Sequence, residues 1–333
     1  MVSVGKRWCA WMFCAVVVFA VVSNGDVHAG DLISLYGGER AGTSAGQFLR
    51  VPADARGIAM GGGMSAAAEG AAAVFWNPAA MITVASKNRI FLNHTEYAAG
   101  IDVDHLSFVH KFGPWRLGFM GGVLRSGDIL RTTELHPTGQ GFTFRADQVI
   151  LGMSLGRQLT DRFTVAVSAK FLQENLDEYK NQGLFVDLGA LYYIGFKTAR
   201  IGFTVQNFGG DLRLDGTPPQ EIVGGWQNFA APTVALFGFA YDFGRGNRRR
   251  LTLSFDFRHP SDEDESVIFG GELALLDHFA LRGGWKSNIE QGGLSAGFGL
   301  HWEKKDLVLR LGYSYEDMGA FGGFHTVSLE IGR

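Results

Sequence analysis

The sequence predicts an all-β protein: a transmembrane antiparallel β-barrel of about 14 strands, with an N-terminal hatch segment in its lumen. Three observations predict it. From Asn88 onward, apolar residues recur with a period of two. The connections between these runs tend to alternate long and short. Beyond Gly30 no apolar stretch approaches the ~20 residues that a membrane-crossing helix needs. A chain of this kind can enter a bilayer only as a closed barrel, because lipid offers no partner for an unpaired backbone N–H or C=O.

Composition agrees. The 333 residues include 47 Gly and 27 Phe, with 13% aromatic and 19% charged residues. High Gly and Phe with modest charge suit an all-β chain better than a soluble α/β enzyme. The formal charge of −3 provides no basic surface for nucleic acid, so none is expected as a partner.

Residues 1–29 read as a secretory signal peptide. Lys6 and Arg7 precede an uncharged run from Trp8 to Val22, and Val27-His28-Ala29 supplies small residues before Gly30. The two cysteines, Cys9 and Cys14, fall inside it. The mature chain is therefore expected to carry no disulfide and no thiolate site.

Residues 30–87 form a separate stretch, rich in Gly, Ala and Ser and without strict alternation. Gly61-Gly62-Gly63 suits neither helix nor strand. Glu69 to Trp76 predicts a short helix, ended by Asn77-Pro78 because the residue before Pro avoids the helical region. Phe48, Leu49, Phe75 and Trp76 would be wasted in water, so the stretch is expected to fold into the barrel.

Residues 88–333 form the barrel. In Phe163–Phe171, Phe163, Val165, Val167, Ala169 and Phe171 share one face, and Thr164, Ala166, Ser168 and Lys170 the other. Side chains alternate along a strand, so one face suits lipid and the other a lumen. Leu251–Phe257, Leu294–Trp302 and Leu307–Tyr315 repeat the pattern. The predicted strands are 88–94, 102–112, 115–125, 147–158, 163–174, 182–194, 199–208, 231–242, 249–259, 266–275, 279–286, 292–302, 306–315 and 326–332. Loops 126–146, 175–181 and 209–230 are the long ones and fall at one end. Trp115, Tyr192, Tyr193, Tyr241, Trp285, Trp302, Tyr313 and Tyr315 lie near strand ends, where indole and phenol rings favour the membrane interface. Glycines on the polar faces (118, 152, 202, 297, 299, 312) are expected to let the N-terminal stretch approach the wall.

Three motifs in the N-terminal stretch carry a resemblance. They are Gly42-Thr43-Ser44-Ala45-Gly46-Gln47-Phe48-Leu49, then Ala55-Arg56-Gly57-Ile58-Ala59-Met60-Gly61-Gly62, then Trp76-Asn77-Pro78-Ala79. Together they resemble the N-terminal signature of the PorV/PorQ family, within the wider FadL-like group of outer-membrane proteins. The resemblance implies a hatch built from these residues, with Asn77, Pro78 and Ala79 in it, and a place in the outer membrane of a two-membrane bacterium. It implies a role in protein secretion or surface attachment of the type IX kind, through secretion-machinery or cargo proteins. The alternative it implies is FadL-like passage of hydrophobic small molecules. Outer-membrane lipid and lipopolysaccharide are the surroundings expected in either case.

Chemistry is sparse. The nine histidines form no H-E-x-x-H pair, there is no G-x-S-x-G elbow, and no Gly-Lys-Ser/Thr follows the triple glycine. Alternation sets Ser107 and His110 on opposite faces, against a triad with Asp104. No catalytic residue, metal ligand or cofactor is expected. Lys170, Asp187, Asp256, Glu272, Arg282 and Arg310 are expected to face the lumen and pair there. Asp262-Glu263-Asp264-Glu265 is expected to be a solvated loop, with divalent cations as its other reading. Arg248-Arg249-Arg250 is expected at a turn, within reach of anionic headgroups.

Overall fold

The protein is described by a computed structural model, which places residues 42–139, 141–216, 225–244, 249–276, 278–288, 292–305 and 307–333. The predicted signal peptide and Arg248 lie outside the described residues.

Among these residues, long antiparallel strands follow one another around a barrel. They are β1 (Asn88–Glu96), β2 (Asp102–Phe112), β3 (Trp115–Arg125), β4 (Ala146–Thr160), β5 (Phe163–Leu176), β6 (Tyr179–Tyr193) and β7 (Arg200–Gly209). The second half holds β8 (Val234–Phe243), β9 (Arg249–Pro260), β10 (Ser266–Leu275), β11 (Phe279–Lys286), β12 (Leu294–Lys304), β13 (Leu307–Asp317) and β14 (Gly323–Gly332). Each pairs with its chain neighbours, and β14 returns to β1, setting Leu92 against Leu329. The fourteen strands thus close without a free edge, which satisfies the ladder on every strand.

The predicted alternation is the alternation of the wall. Its outer face carries Leu106 and Phe237 at 50% exposure, with Leu92, Phe119, Leu151, Phe203, Phe269 and Leu311 also exposed. An apolar belt of this extent does not face water in a stable soluble protein. The inner face carries Ser107, Ser154, Ser168, Thr204, Thr252 and Ser314, all buried. Aromatic side chains mark both rims outside. Trp115, Tyr192 and Trp302 stand near the short turns, and Trp285 and Tyr315 near the long loops.

Two expectations need correction. The long loop expected at 175–181 is a two-residue turn, because β5 and β6 run on as a hairpin in register as far as Leu176 opposite Tyr179. β4 stays paired with β5 over the same stretch, as far as Ala146 opposite Leu176. Tyr193 faces inward, packed against the buried core, because it follows Leu191 on the inner face of β6.

The N-terminal stretch holds a 3₁₀ turn (Gln47–Arg50), helix α1 (Ala55–Ala59), helix α2 (Ala73–Trp76) and a second 3₁₀ turn (Pro78–Thr83). The helix expected from Glu69 starts only at Ala73. Gly70 takes φ 72°, a left-handed conformation that no helix accommodates. The hydrophobic core lies inside the barrel. Met60, Met64, Ala66, Val74, Ala79 and Met81 pack there with Val109, Leu191 and Ala240 of the wall.

Candidate functional site: an occluded lumen

Each turn of the N-terminal stretch is set by a local device. Asp54 caps α1, its carboxylate oxygens accepting from Arg56 N and Gly57 N at 3.0 Å each. Gly61 and Gly62, at φ 76° and 87°, turn the chain away after Met60. Asn77 caps the second 3₁₀ turn through Ala79 N at 3.0 Å. Its amide donates to Ser65 O at 2.7 Å and to Ala190 O of β6 at 3.1 Å. This fully buried side chain therefore ties two turns of the segment to each other and to the wall.

The wall makes room with glycine pairs. Gly202 and Gly238 face each other across β7 and β8, and a Cβ on either would collide with Ser65. Gly270 and Gly284 pair across β10 and β11, beneath Met60 and Gly61. Of the six glycines singled out from sequence, Gly118, Gly202, Gly297 and Gly312 meet the segment. Gly152 and Gly299 are crowded by the wall side chains Met120, Lys170 and Arg282 instead.

The sequence-predicted site residues divide into groups. Phe48 is 2% exposed and, with Ala45 and Leu49, packs near the long-loop end with Ile150, Leu172, Phe185 and Leu212. Leu212 reaches this cluster because the long loop folds back, exchanging two backbone hydrogen bonds with Phe229. Arg56, Met60 and Gly61 lie against β10 and β11, Gly62 faces Trp76, and Asn77, Pro78 and Ala79 lie against β6. Trp76 lays its indole on Gly57. Gly42 and Thr43 sit exposed at the start of the described chain, apart from these groups.

Cavities lie on both sides of the segment. Toward the long loops, a small apolar one of about 60 Å³ is bounded by Phe48, Leu49, Phe75, Trp76, Met120 and Ile150. Its polar margin includes Arg50, His105, Gln206 and the Lys170–Asp187 pair, which meet at 2.7 Å. Toward the short turns, a charged vestibule of about 370 Å³ opens. Glu272 accepts from Arg56 Nε and Arg282 Nε at 2.8 Å each, with Arg250 3.5 Å away. Glu69 faces Arg310 at 3.3 Å and Arg56 at 3.5 Å. Glu330 accepts from Arg89 at 2.9 Å and from Ala71 N at 2.8 Å.

Ionisation of the segment follows these partners. Burial pushes the Asp54 carboxyl up despite Arg56 beside it. Burial alone would raise Glu69 too, but Arg310 and Arg56 outweigh it and hold that carboxyl well below the usual range. Burial would lower the Arg56 guanidinium, and the charges of Glu272 and Glu69 reverse that and raise it.

The lumen charges pair along the wall and with the N-terminal segment more than across the barrel. Asp256 accepts from Ser65 N at 3.0 Å. The acidic loop is no free solvated loop: Asp262 is buried and accepts from Arg50 at 2.8 Å and from Ser44, while Glu263 pairs with Arg50 and Arg258. Sequence reasoning missed Glu69, whose only signal was a carboxylate inside an alanine run. His105 and Ser107 both face inward, and Ser107 donates to Ala71 O at 2.8 Å.

No family model matches the sequence, and no curated protein matches it either. Solved structures do. CymD, a monoaromatic hydrocarbon channel, superposes with a TM-score of 0.56 at 15% identity, over 84% of this chain and 96% of its own. The toluene transporter TodX of Pseudomonas putida gives 0.54 at 14%, over 83% and 96%. A Pseudomonas aeruginosa FadL homologue gives 0.52 at 11%, over 84% and 97%. The barrel has the FadL-type fold. At these identities the likeness is one of fold. The narrower PorV/PorQ resemblance gains no sequence-family support.

Proposed function

We propose that this chain is an outer-membrane channel for small hydrophobic molecules, with residues 42–87 as its hatch. The apolar belt contacts lipid acyl chains, the short turns face the periplasm, and the long loops face outward. The observation that carries the reading is the division of the lumen. A small, largely apolar cavity lies on the outer side of the segment and an open, charged vestibule on the inner side. A solute leaving the first must displace the segment to reach the second. The fold shared with hydrocarbon channels favours this reading over secretion.

The test locks the segment. The Ala55 Cβ lies 3.2 Å from where a Gly312 Cβ would sit, close to the ~3.5–4.5 Å span of a disulfide. An A55C/G312C protein is expected to restore uptake of labelled toluene to a deletion strain only when reduced. Equal uptake in deleted and complemented strains removes the channel reading. Equal uptake by reduced and oxidised protein removes the hatch.

A second reading keeps one observation. The loop after β3 exposes Leu135 at 87% and Phe142 at 68% beyond the barrel. Large apolar side chains there suit a protein partner, as the secretion role implied by the PorV/PorQ resemblance would need. Normal surface display of secreted cargo in a deletion strain rejects that role.

A further inference from the structure

The two rims of the barrel treat their cations differently. At the long-loop rim, Arg125 lies 2.8 Å from Asp104, Arg145 lies 2.7 Å from Asp128, and Arg131 pairs with Asp177. At the short-turn rim, Arg157, Arg162, Lys197, Arg249, Lys304 and Arg333 have no carboxylate within ion-pair distance among the described residues. These six come from β4, the β4–β5 turn, the β6–β7 turn, β9, β12 and the end of β14, so they encircle the barrel. All but the turn residue Arg162 stand against the outer apolar belt. The Arg157 guanidinium lies 4.8 Å over the ring of Trp115, and Lys197 Nζ lies 5.6 Å from the exposed ring of Phe196. Arg249, Lys304 and Arg333 are two residues from the exposed Leu251, Trp302 and Ile331, hence on the same outer face. The acids of the short turns are Asp161, Asp277 and Asp306, and Arg245, Arg248 and Lys305 in the same turns offset them. Glu303 lines the vestibule instead, and Asp242 is taken by Arg200.

We propose that the short-turn rim is a collar for anionic glycerophospholipid, a phosphatidylglycerol-class headgroup of the inner leaflet, with Arg157 on Trp115 as its preformed seat. The inference goes beyond the channel reading and shares with it only the orientation of the barrel. A single unpaired lysine or arginine in water is ordinary. A ring of them at an aromatic belt is placed where headgroups lie, because indole and phenol rings mark that depth. Long basic side chains keep their stems on the apolar surface and carry the charge out to the phosphates. Each such residue near an anionic surface is worth a fewfold gain in lipid retention. The long-loop rim offers no equivalent, since its arginines beside the belt are neutralised in place.

The test places the full mature chain in phosphatidylcholine nanodiscs with a trace of spin-labelled phosphatidylglycerol or spin-labelled phosphatidylcholine. The readout is the motionally restricted fraction of each label. Wild-type protein is expected to retain the anionic label about fivefold more strongly, the effect of one basic residue at a charged surface, and to lose the preference in high salt. R157Q/K197Q/R249Q/K304Q is expected to abolish it. R125Q/D104N/R145Q/D128N, which removes whole pairs at the other rim, is expected to leave it unchanged. Heat-modifiable migration confirms that each variant is folded. Excess glycerol 3-phosphate at matched ionic strength is expected not to displace the label; displacement assigns the rim to small phosphates and overturns the lipid collar. Equal retention of both labels by wild type, a preference that survives high salt or the short-turn variant, or equal loss in the paired-charge variant also overturns it. Toluene uptake reports on the channel reading separately, so either can fail alone.

Discussion

The two sides of the N-terminal segment are built from different materials. Beside β2–β7 it meets the wall through Phe48, Val74 and Met81 against apolar partners. Beside β9–β14 it meets the wall through Arg56 and Glu69, within a web of arginines and carboxylates. Dispersion contacts are individually weak and can slip as a side chain changes rotamer. A buried ion pair cannot slip without stranding a charge. The difference teaches that the charged side is the anchor, the hold that must break before the segment moves as a body.

The largest effect is therefore expected at Glu272. Three arginines share this carboxylate, and Glu272→Ala leaves Arg282 without its carboxylate and Arg56 with Glu69 alone, at about 3–5 kcal/mol for a broken buried pair. Hydrogen exchange is expected to accelerate over residues 55–72 and to stay unchanged over 45–50, where Arg50 is held independently by Asp262. Uniform acceleration through both regions would break the comparison.

Overpacking comes next. A leucine at Gly284 meets Gly61 N and the Met60 backbone, which have no side-chain freedom to give way. About 1–3 kcal/mol of strain is expected, unseating α1 while the barrel stays closed. The readout is protease cleavage within 42–87 together with unchanged heat-modifiable migration. Asn77→Ala is expected to cost about 0.5–2 kcal/mol as a lost cap, with more from its bonds to Ser65 and Ala190. It lies between the two sides, so exchange is expected to rise on both.

The wall was legible in the sequence and the anchor only partly. A period of two is a property of neighbouring residues, so β2, β3, β10 and β11 are readable to their ends. Where the chain departs from neighbour rules, reading fails. The β5–β6 hairpin runs on to Leu176 and Tyr179 because its strands stay paired with their partners, and the helix before Asn77 is cut short by Gly70 turning toward Glu330. The anchor joins Arg56 to Glu272 and Glu69 to Arg310, pairs more than two hundred residues apart, which no local pattern encodes. The sequence does announce that Glu272, Arg282 and Arg310 face inward. Which partner each takes depends on where the segment lies.

The smallest effect at neutral pH concerns Asp54, and it carries the opposite sign to Glu69. Glu69 is held below its ordinary value, so its contribution is complete above the unfolded carboxylate range and is lost as pH falls through the lowered value. Asp54 is raised by burial, so its contribution is complete below the ordinary range and is lost as pH rises through the raised value. Exchange over 55–72 is thus expected to be slowest in mild acid, to quicken slightly toward neutrality and to quicken steeply in strong acid. Asp54→Asn keeps a capping oxygen and is expected to flatten only the neutral limb. Glu69→Gln is expected to remove its share of the acid limb. An acid limb identical in wild type and Glu69→Gln would mean that Glu69 anchors nothing, and that Arg56 with Glu272 holds the charged side alone.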